Sequence, residues 1–277
     1  MFRIARKNVL NFNTVEYEIE APLVAKSCRG GQFVILRVDE NGERIPLTIA
    51  DYDRARGTVT VIVQTIGATT YKLSQKGEGE YICDLVGPLG NPTDLGDCEN
   101  AILVGGGIGS AVIYPQTAEM KKLGKKVTVI VGAKTKELLI HEDDFRARSD
   151  EFIIMTDDGS YGEKGFVTDA LKKLLDRGGY DRVFAVGPLP MMRAVCALTE
   201  GYGVKTIVSM NSIMVDGTGM CGGCRLTVGG KTKYACVDGP EFDGHLVDFN
   251  EAINRSKIYR EQEAEHYCRL KGESVKL

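Results

Sequence analysis

The chain has 277 residues, a length suited to two domains and a small appendage. Apolar residues make up 43% and charged residues 26%, the ordinary balance of a soluble globular protein. A net charge of −3 offers no electrostatic case for nucleic acid or an anionic membrane, and the apolar runs are far too short to cross a bilayer. The first residues enter an alternating pattern directly, without an apolar leader core, so a cytoplasmic location is expected.

The first hundred residues read as β-structure. Residues 14–20 and 58–64 alternate cleanly, 31–38 supply another strand, and turn signals such as Asn41-Gly42 and Arg56-Gly57 separate the runs. One helical interruption is predicted at 70–75, and the spacings suit an antiparallel barrel. From residue 100 the texture changes. Apolar strands at 101–104, 127–131, 152–155, 183–186 and 204–209 alternate with helical stretches at 111–123, 136–147, 167–175 and 190–200. That alternation predicts a doubly wound parallel sheet. Residues 211–245 are glycine-rich around clustered cysteines, and 249–266 read as a terminal helix. The predicted division is 1–98, 99–210 and 211–277.

Eight cysteines in a reducing compartment are not expected to pair as disulfides. Cys28, Cys83, Cys98 and Cys196 are isolated and read as small apolar residues. Cys221, Cys224 and Cys236 are clustered, and Asp216 stands where a further cysteine would complete the C-x4-C-x2-C…C spacing of a plant-type [2Fe–2S] site. A two-iron rhomb needs two ligands per iron, and glycines let backbone amides approach its sulfides. A tetrahedral zinc site built from the same four residues is the competing reading. The fourth ligand is Asp216 or, from far along the chain, Cys268.

The run Ala101-Ile102-Leu103-Val104-Gly105-Gly106-Gly107-Ile108-Gly109-Ser110-Ala111 is a strand, a glycine turn and a helix start. At the first strand of a doubly wound half, Gly105, Gly107, Ile108, Gly109 and Ser110 are candidates for a nucleotide pyrophosphate site, with Ser110 standing where a third glycine is usual. The next strand ends without an acidic residue for a ribose hydroxyl, and Lys134 there leaves NADP(H) open beside NAD(H).

Together with Val186-Gly187-Pro188-Leu189-Pro190-Met191-Met192, these motifs resemble the ferredoxin–NADP reductase superfamily. The cysteine segment is similar to that of the dihydroorotate dehydrogenase electron-transfer subunits. Within that group the run Ile213-Met214-Val215-Asp216-Gly217-Thr218-Gly219-Met220-Cys221 resembles the small subunits of the NADH-dependent reduced-ferredoxin:NADP oxidoreductases. The resemblance implies FAD in the barrel, bound through a motif R-x-Y-[ST]. Here the stretch is Arg44-Ile45-Pro46-Leu47-Thr48, with the arginine displaced by one position. Arg44 would then meet a phosphate and Pro46, Leu47 and Thr48 the flavin. Val63 and Gln64 would flank the ring, and Gly67, Thr69 and Thr70 would face the FAD pyrophosphate. Asp157, Asp158, Gly187 and Met191 would serve the pyridine nucleotide.

The activity implied is hydride exchange between NAD(H) and FAD, with single electrons passing through the [2Fe–2S] cluster to a larger flavin/iron–sulfur partner subunit and, through that complex, to ferredoxin. An electron-transfer subunit of a dihydroorotate dehydrogenase is the near alternative, expected to carry cysteine at position 216. A zinc-stabilised nucleotide-sensing module is the alternative of another kind. His141, His245 and His266 are the histidines of the chain and form no Ser-His-Asp or Cys-His constellation, so the chemistry is expected to belong to the cofactors.

Overall fold

The alternating segments form strands, as their period requires. The computed structural model describes residues 1–272, so the last residues of the third predicted segment, 273–277, lie outside it. Its first part runs β1 (Phe2–Asn11), β2 (Thr14–Glu20), α1 (Pro22–Ser27), β3 (Phe33–Arg37), β4 (Arg44–Asp53), β5 (Thr58–Gln64), α2 (Ala68–Ser74), β6 (Tyr81–Ile82) and β7 (Asp84–Leu89). These strands pair antiparallel in the order β6-β1-β2-β5-β4-β3-β7. One residue in two faces a core of Tyr17, Ile19, Leu36, Val59, Val61 and Leu73. The Tyr17 hydroxyl donates to the Leu73 carbonyl at 2.7 Å and fastens α2 to the barrel. Helix α1 was not expected; Pro22 in its first turn has a φ suited to helix and no amide to waste.

The second part runs β8 (Asn100–Gly106), α3 (Gly109–Lys122), β9 (Lys126–Ala133), α4 (Glu142–Arg148), β10 (Glu151–Thr156), β11 (Glu163–Lys164), α5 (Val167–Arg177), β12 (Arg182–Val186), α6 (Leu189–Tyr202) and β13 (Lys205–Ser209). Strands with both faces covered are apolar along their whole length, and Ile102, Leu103, Val129, Ile130, Val183 and Ala185 are fully buried. The helix expected over 136–147 is a short 3-10 turn at Lys136–Leu138 followed by α4, because His141 takes a left-handed conformation (φ 55°) between them.

The third part holds the hairpin β14 (Arg225–Val228) and β15 (Lys231–Tyr234), then β16 (Glu241–Asp243), α7 (Phe249–Arg255) and α8 (Arg260–Lys271). Strand β16 joins the second sheet antiparallel to β13, with Ser209 opposite Glu241, and completes the order β11-β10-β9-β8-β12-β13-β16. The glycine-rich segment therefore leaves the second sheet at β13 and returns to it at β16. The single terminal helix expected over 249–266 is two helices, α7 and α8. After Ser256 the ladder tightens into turns, with the amides of Lys257 and Ile258 donating to the Asn254 and Arg255 carbonyls, each at 3.3 Å, before α8 begins. Among the described residues no helix is long and apolar enough to cross a membrane.

Candidate functional site

A cleft of about 1050 Å³ opens between the barrel and the carboxyl ends of the parallel strands, where doubly wound sheets bind ligands. Its barrel wall includes Pro46, Leu47 and Thr48 of β4 and Ile62 and Gln64 of β5. Its opposite wall includes Gly107, Ile108, Gly109, Asp157, Gly187 and Met191. Val63 lies between two cleft residues on β5, so the strand's period turns its side chain into the barrel core, where it is 2% exposed.

The glycine turn after β8 is shaped by close approach. A Cβ on Gly106 would collide with the Met191 sulfur, and one on Gly109 with the Val186 carbonyl oxygen. A Cβ on Gly105 would stand 2.8 Å from the Ser110 Cα. Gly107 has φ 55° and open space around it. Ser110 is buried, and its hydroxyl donates to the Gly107 carbonyl at 2.8 Å, so the side chain closes the turn from within. The result is a strand, a tight turn and a helix start that bring Gly106, Gly107, Ile108 and Gly109 to the cleft, the form of a phosphate cradle.

Gly67, Thr69 and Thr70 stand outside the cleft lining, although their neighbour Ile66 lines it. The Thr70 hydroxyl accepts from the Gly67 amide at 3.0 Å, and the Thr69 hydroxyl donates to Glu43 at 3.0 Å. Arg44 also stands outside it, and its Nε donates to the Val215 carbonyl at 2.8 Å. Lys134 and Asp157 both line the cleft, at the ends of the neighbouring strands β9 and β10. Asp158 is turned to Ser160, accepting from its amide at 2.9 Å and its hydroxyl at 2.7 Å; the hydroxyl bond above all holds its carboxyl below the usual range.

Several lining residues carry no signal in the sequence. Phe12 sits exposed at the tip of the β1–β2 hairpin, and Met210, Asn211, Met214 and Pro240 line the cleft from the segment beyond β13. Phe12, an aromatic flanked by Asn11 and Asn13 in a turn, is the one that a reading for exposed aromatics could have found. The others enter only because the segment beyond β13 folds back to close the cleft.

The four candidate ligands are brought together as two pairs. Asp216 Oδ1 accepts from the Cys221 sulfur at 3.3 Å, and the Cys224 and Cys236 sulfurs are 3.2 Å apart. The amides of Gly223 and Cys236 donate to the sulfurs of Cys221 and Cys224, each at 3.4 Å. Gly217, Gly219 and Gly222 have φ of 77°, 85° and 67°, so the loop can curl around its side chains. Among the described residues no three His, Cys, Asp or Glu side chains meet at a single metal-binding point. Burial works against ionisation of Asp216, but hydrogen bonds from the Cys221 thiol and from the Thr218 and Cys221 amides outweigh it and hold the carboxyl down at about 2. Burial and the neighbouring Cys224 push the Cys236 thiol up to about 12, so a bound cation is what would ionise it. Cys268 stands on α8, which packs against α2 with Tyr267 on Tyr71 (5.8 Å between ring centroids). Among the described residues no bond joins its thiol to the four.

Known proteins carry the same frame. The chain is 34% identical over 241 residues to the dihydroorotate dehydrogenase B (NAD(+)) electron-transfer subunit of Fusobacterium nucleatum, covering 83% of this chain and 91% of that one. It belongs to the family of the dihydroorotate dehydrogenase B electron-transfer subunits. A homologue of that subunit from Thermotoga maritima is 47% identical, with 98% of this chain and 97% of the relative covered. The profile of the iron–sulfur cluster binding domain of dihydroorotate dehydrogenase B matches residues 211–248, which contain the four paired side chains. Among solved structures, a chain of an NADH-dependent reduced ferredoxin–NADP oxidoreductase, described for its flavin-based electron bifurcation, superposes with a TM-score of 0.92. It is 46% identical, and 98% of each chain is covered. Phthalate dioxygenase reductase, at 16% identity and a TM-score of 0.61, shares the fold. The family makes this chain an oxidoreductase electron-transfer subunit.

Proposed function

We propose that the chain exchanges hydride between NAD(H) and FAD and hands single electrons through a [2Fe–2S] cluster to a larger flavin/iron–sulfur partner, within a bifurcating NADH/ferredoxin:NADP transhydrogenase. Flavin supplies the chemistry that couples the two, since it exchanges electrons in pairs or singly. In this reading residues 1–98 bind FAD, 99–210 bind the nucleotide and 211–277 carry the cluster. The cleft, at about 1050 Å³, stands at the top of the range of about 300–1,000 Å³ usual for a small-molecule site. Pro46, Leu47, Thr48 and Gln64 would hold the flavin on the barrel wall. The turn of Gly105, Gly107, Ile108 and Gly109, which Ser110 closes, would cradle the nucleotide pyrophosphate, and Asp157, Gly187 and Met191 would flank its nicotinamide and ribose. Protein groups there orient and exclude water, and no side chain is required to move a proton.

The observation that carries this reading is the pairing of Asp216 with Cys221 and of Cys224 with Cys236. Two pairs serve a rhomb of two irons, whereas zinc would draw four donors to one point. Amides aimed at the sulfurs fit an anionic cluster.

The test begins with the purified protein. FAD near one per chain, with about two irons and acid-labile sulfide, is the expected content; stoichiometric zinc without flavin would sink the reading. Asp216→Ala should leave the cluster labile or incomplete, Asp216→Cys should keep it at a shifted potential, and Cys268→Ser should change nothing. Loss of the cluster in Cys268→Ser with a wild-type spectrum in Asp216→Ala would redraw the ligand set. A dihydroorotate dehydrogenase subunit is the second reading, favoured by the 34% identity to such a chain. The protein that co-purifies decides between them: a dihydroorotate-oxidising subunit supports the second, a larger flavin/iron–sulfur subunit the first.

A further inference from the structure

Two arginines from different parts of the fold end on the cluster loop. Arg44, at the start of β4 in the barrel, donates from Nε to the Val215 carbonyl at 2.8 Å. Arg255, at the end of α7, donates from Nη2 to the Gly223 carbonyl at 3.1 Å. Val215 immediately precedes Asp216, and Gly223 immediately precedes Cys224. Each arginine thus holds the peptide just before the first member of one ligand pair.

Their charges are also left over. Among the described residues neither Arg44 nor Arg255 makes an ion pair, whereas Arg37, directly across the β3–β4 ladder from Arg44, is neutralised by Asp84 at 2.7 Å. Strand alternation explains Arg44's direction. The family arginine implied at position 45 would point to the opposite face, so an arginine one residue earlier is turned away from that phosphate and toward the loop. The loop is seated firmly enough for such a tether to matter: a Cβ on Gly217 would stand 2.6 Å from Leu89 and 2.9 Å from Ile35 of the barrel.

We propose that Arg44 and Arg255 are positioning residues for the cluster, holding its two ligand pairs, one from the barrel and one from α7, and placing beside it two positive charges that make no ion pair among the described residues. The inference rests on the [2Fe–2S] reading above. A cluster ligated by thiolates and a carboxylate is anionic and gains a further negative charge on reduction. Adjacent cations stabilise that reduced form and raise the potential.

The measurement is an EPR-monitored redox titration of the protein with its co-purifying partner, for Arg44→Gln, Arg255→Gln, the double variant, and the charge-keeping Arg44→Lys and Arg255→Lys. Each Gln variant should shift the midpoint to lower potential with iron content retained. In the double variant the reduced-to-oxidised ratio at the wild-type midpoint should fall roughly tenfold, about 59 mV for one electron. The Lys variants should recover most of that shift. If a Gln variant loses its cluster and the matching Lys variant regains it, the positioning role also stands. Wild-type midpoints in all Gln variants, or equal cluster loss in Gln and Lys variants, overturn the proposal. Absence of iron and sulfide from the unmodified protein would instead overturn the cluster reading itself.

Discussion

The turn at residues 105–110 and the loop at residues 216–224 are both built on glycine, for different physical reasons. In the first, Gly105, Gly106 and Gly109 are pressed by backbone from β12 and by α3 and α6, and Gly109 has no room for a Cβ beside the Val186 carbonyl, while Gly107 stands in open space and takes a positive φ. In the second, Gly217, Gly219 and Gly222 all take positive φ, so that the chain can curl around its own side chains. One loop is shaped mainly by what the core presses against it, the other mainly by its own curl, although Gly217 is also seated against Ile35 and Leu89 of the barrel. The first should therefore fail with the fold, and the second should fail alone.

Gly109→Ala breaks the first loop and carries the largest expected effect. The colliding atom is backbone and cannot turn aside, so destabilisation should reach about 3 kcal/mol or more, the upper end for overpacking. Thermal melting and the rate of flavin reduction by NADH should both register it, with reduction lost.

Glu241→Gln tests the joint between the two regions. Glu241 on β16 lies beyond the cluster loop, yet it accepts from Thr93 at 2.7 Å and from Gln116 of α3, the helix that the first loop opens. Burial raises its carboxyl from 4.5 to about 7; the Thr93 and Gln116 bonds oppose the shift, Asp94 and Glu119 add to it, and no cation is among the causes. The folded state holds this proton more tightly than the unfolded chain does. Its contribution to stability is therefore full below about pH 4.5, falls as pH rises toward 7, and stays lost above, a drop on the order of 3 kcal/mol. Glutamine is always neutral, and its amide can donate to Gln116 Oε1, which is buried without a partner among the described residues. Melting curves at pH 5 and pH 8 should show the variant flat and the parent falling; parallel curves would mean that Glu241 does not titrate there.

Gly219→Ala breaks only the second loop. Its φ of 85° costs an L-residue roughly 1–2 kcal/mol. The nearest side-chain atom, Val237 Cγ2 at 2.8 Å, can rotate away. Iron content should fall while NADH still reduces the flavin, and loss of both together would erase the contrast with Gly109. The smallest effect belongs to Lys134→Ala. NADH should already reduce the flavin faster than NADPH, and removing this exposed cation should widen the preference by no more than about 1 kcal/mol. A parent that prefers NADPH in stopped-flow reduction would assign Lys134 to a 2′-phosphate.

The two sheets were legible because apolar period reports burial directly: β2 and β5 alternate, while β8, β9 and β12 are built on the apolar runs 101–104, 129–131 and 183–186. The division of labour along β5 was not. Period two separates Val63 from Ile62 and Gln64, but which set faces inward depends on where the core lies. The break between α7 and α8 escaped because it is made by a few tight turn bonds at residues 254–260 that leave no mark in the apolar period. The glycine turn after β8 and the closeness of Asp216, Cys221, Cys224 and Cys236 were legible from local spacing. Arg255, Gln116 and Glu241 were not, since their partners lie far along the chain and only the folded core brings them together.

The pairing of β16 with β13 fixes what kind of carrier this can be. A redox centre on a hinged module ferries its electron by swinging on a leash, and its turnover then follows solvent viscosity and linker length. Here the strip that bears Asp216, Cys221, Cys224 and Cys236 is sewn into the second sheet at both ends, from Ser209 to Glu241. The centre stays at a fixed berth, and the distance an electron must jump outward is chosen once, when the partner docks.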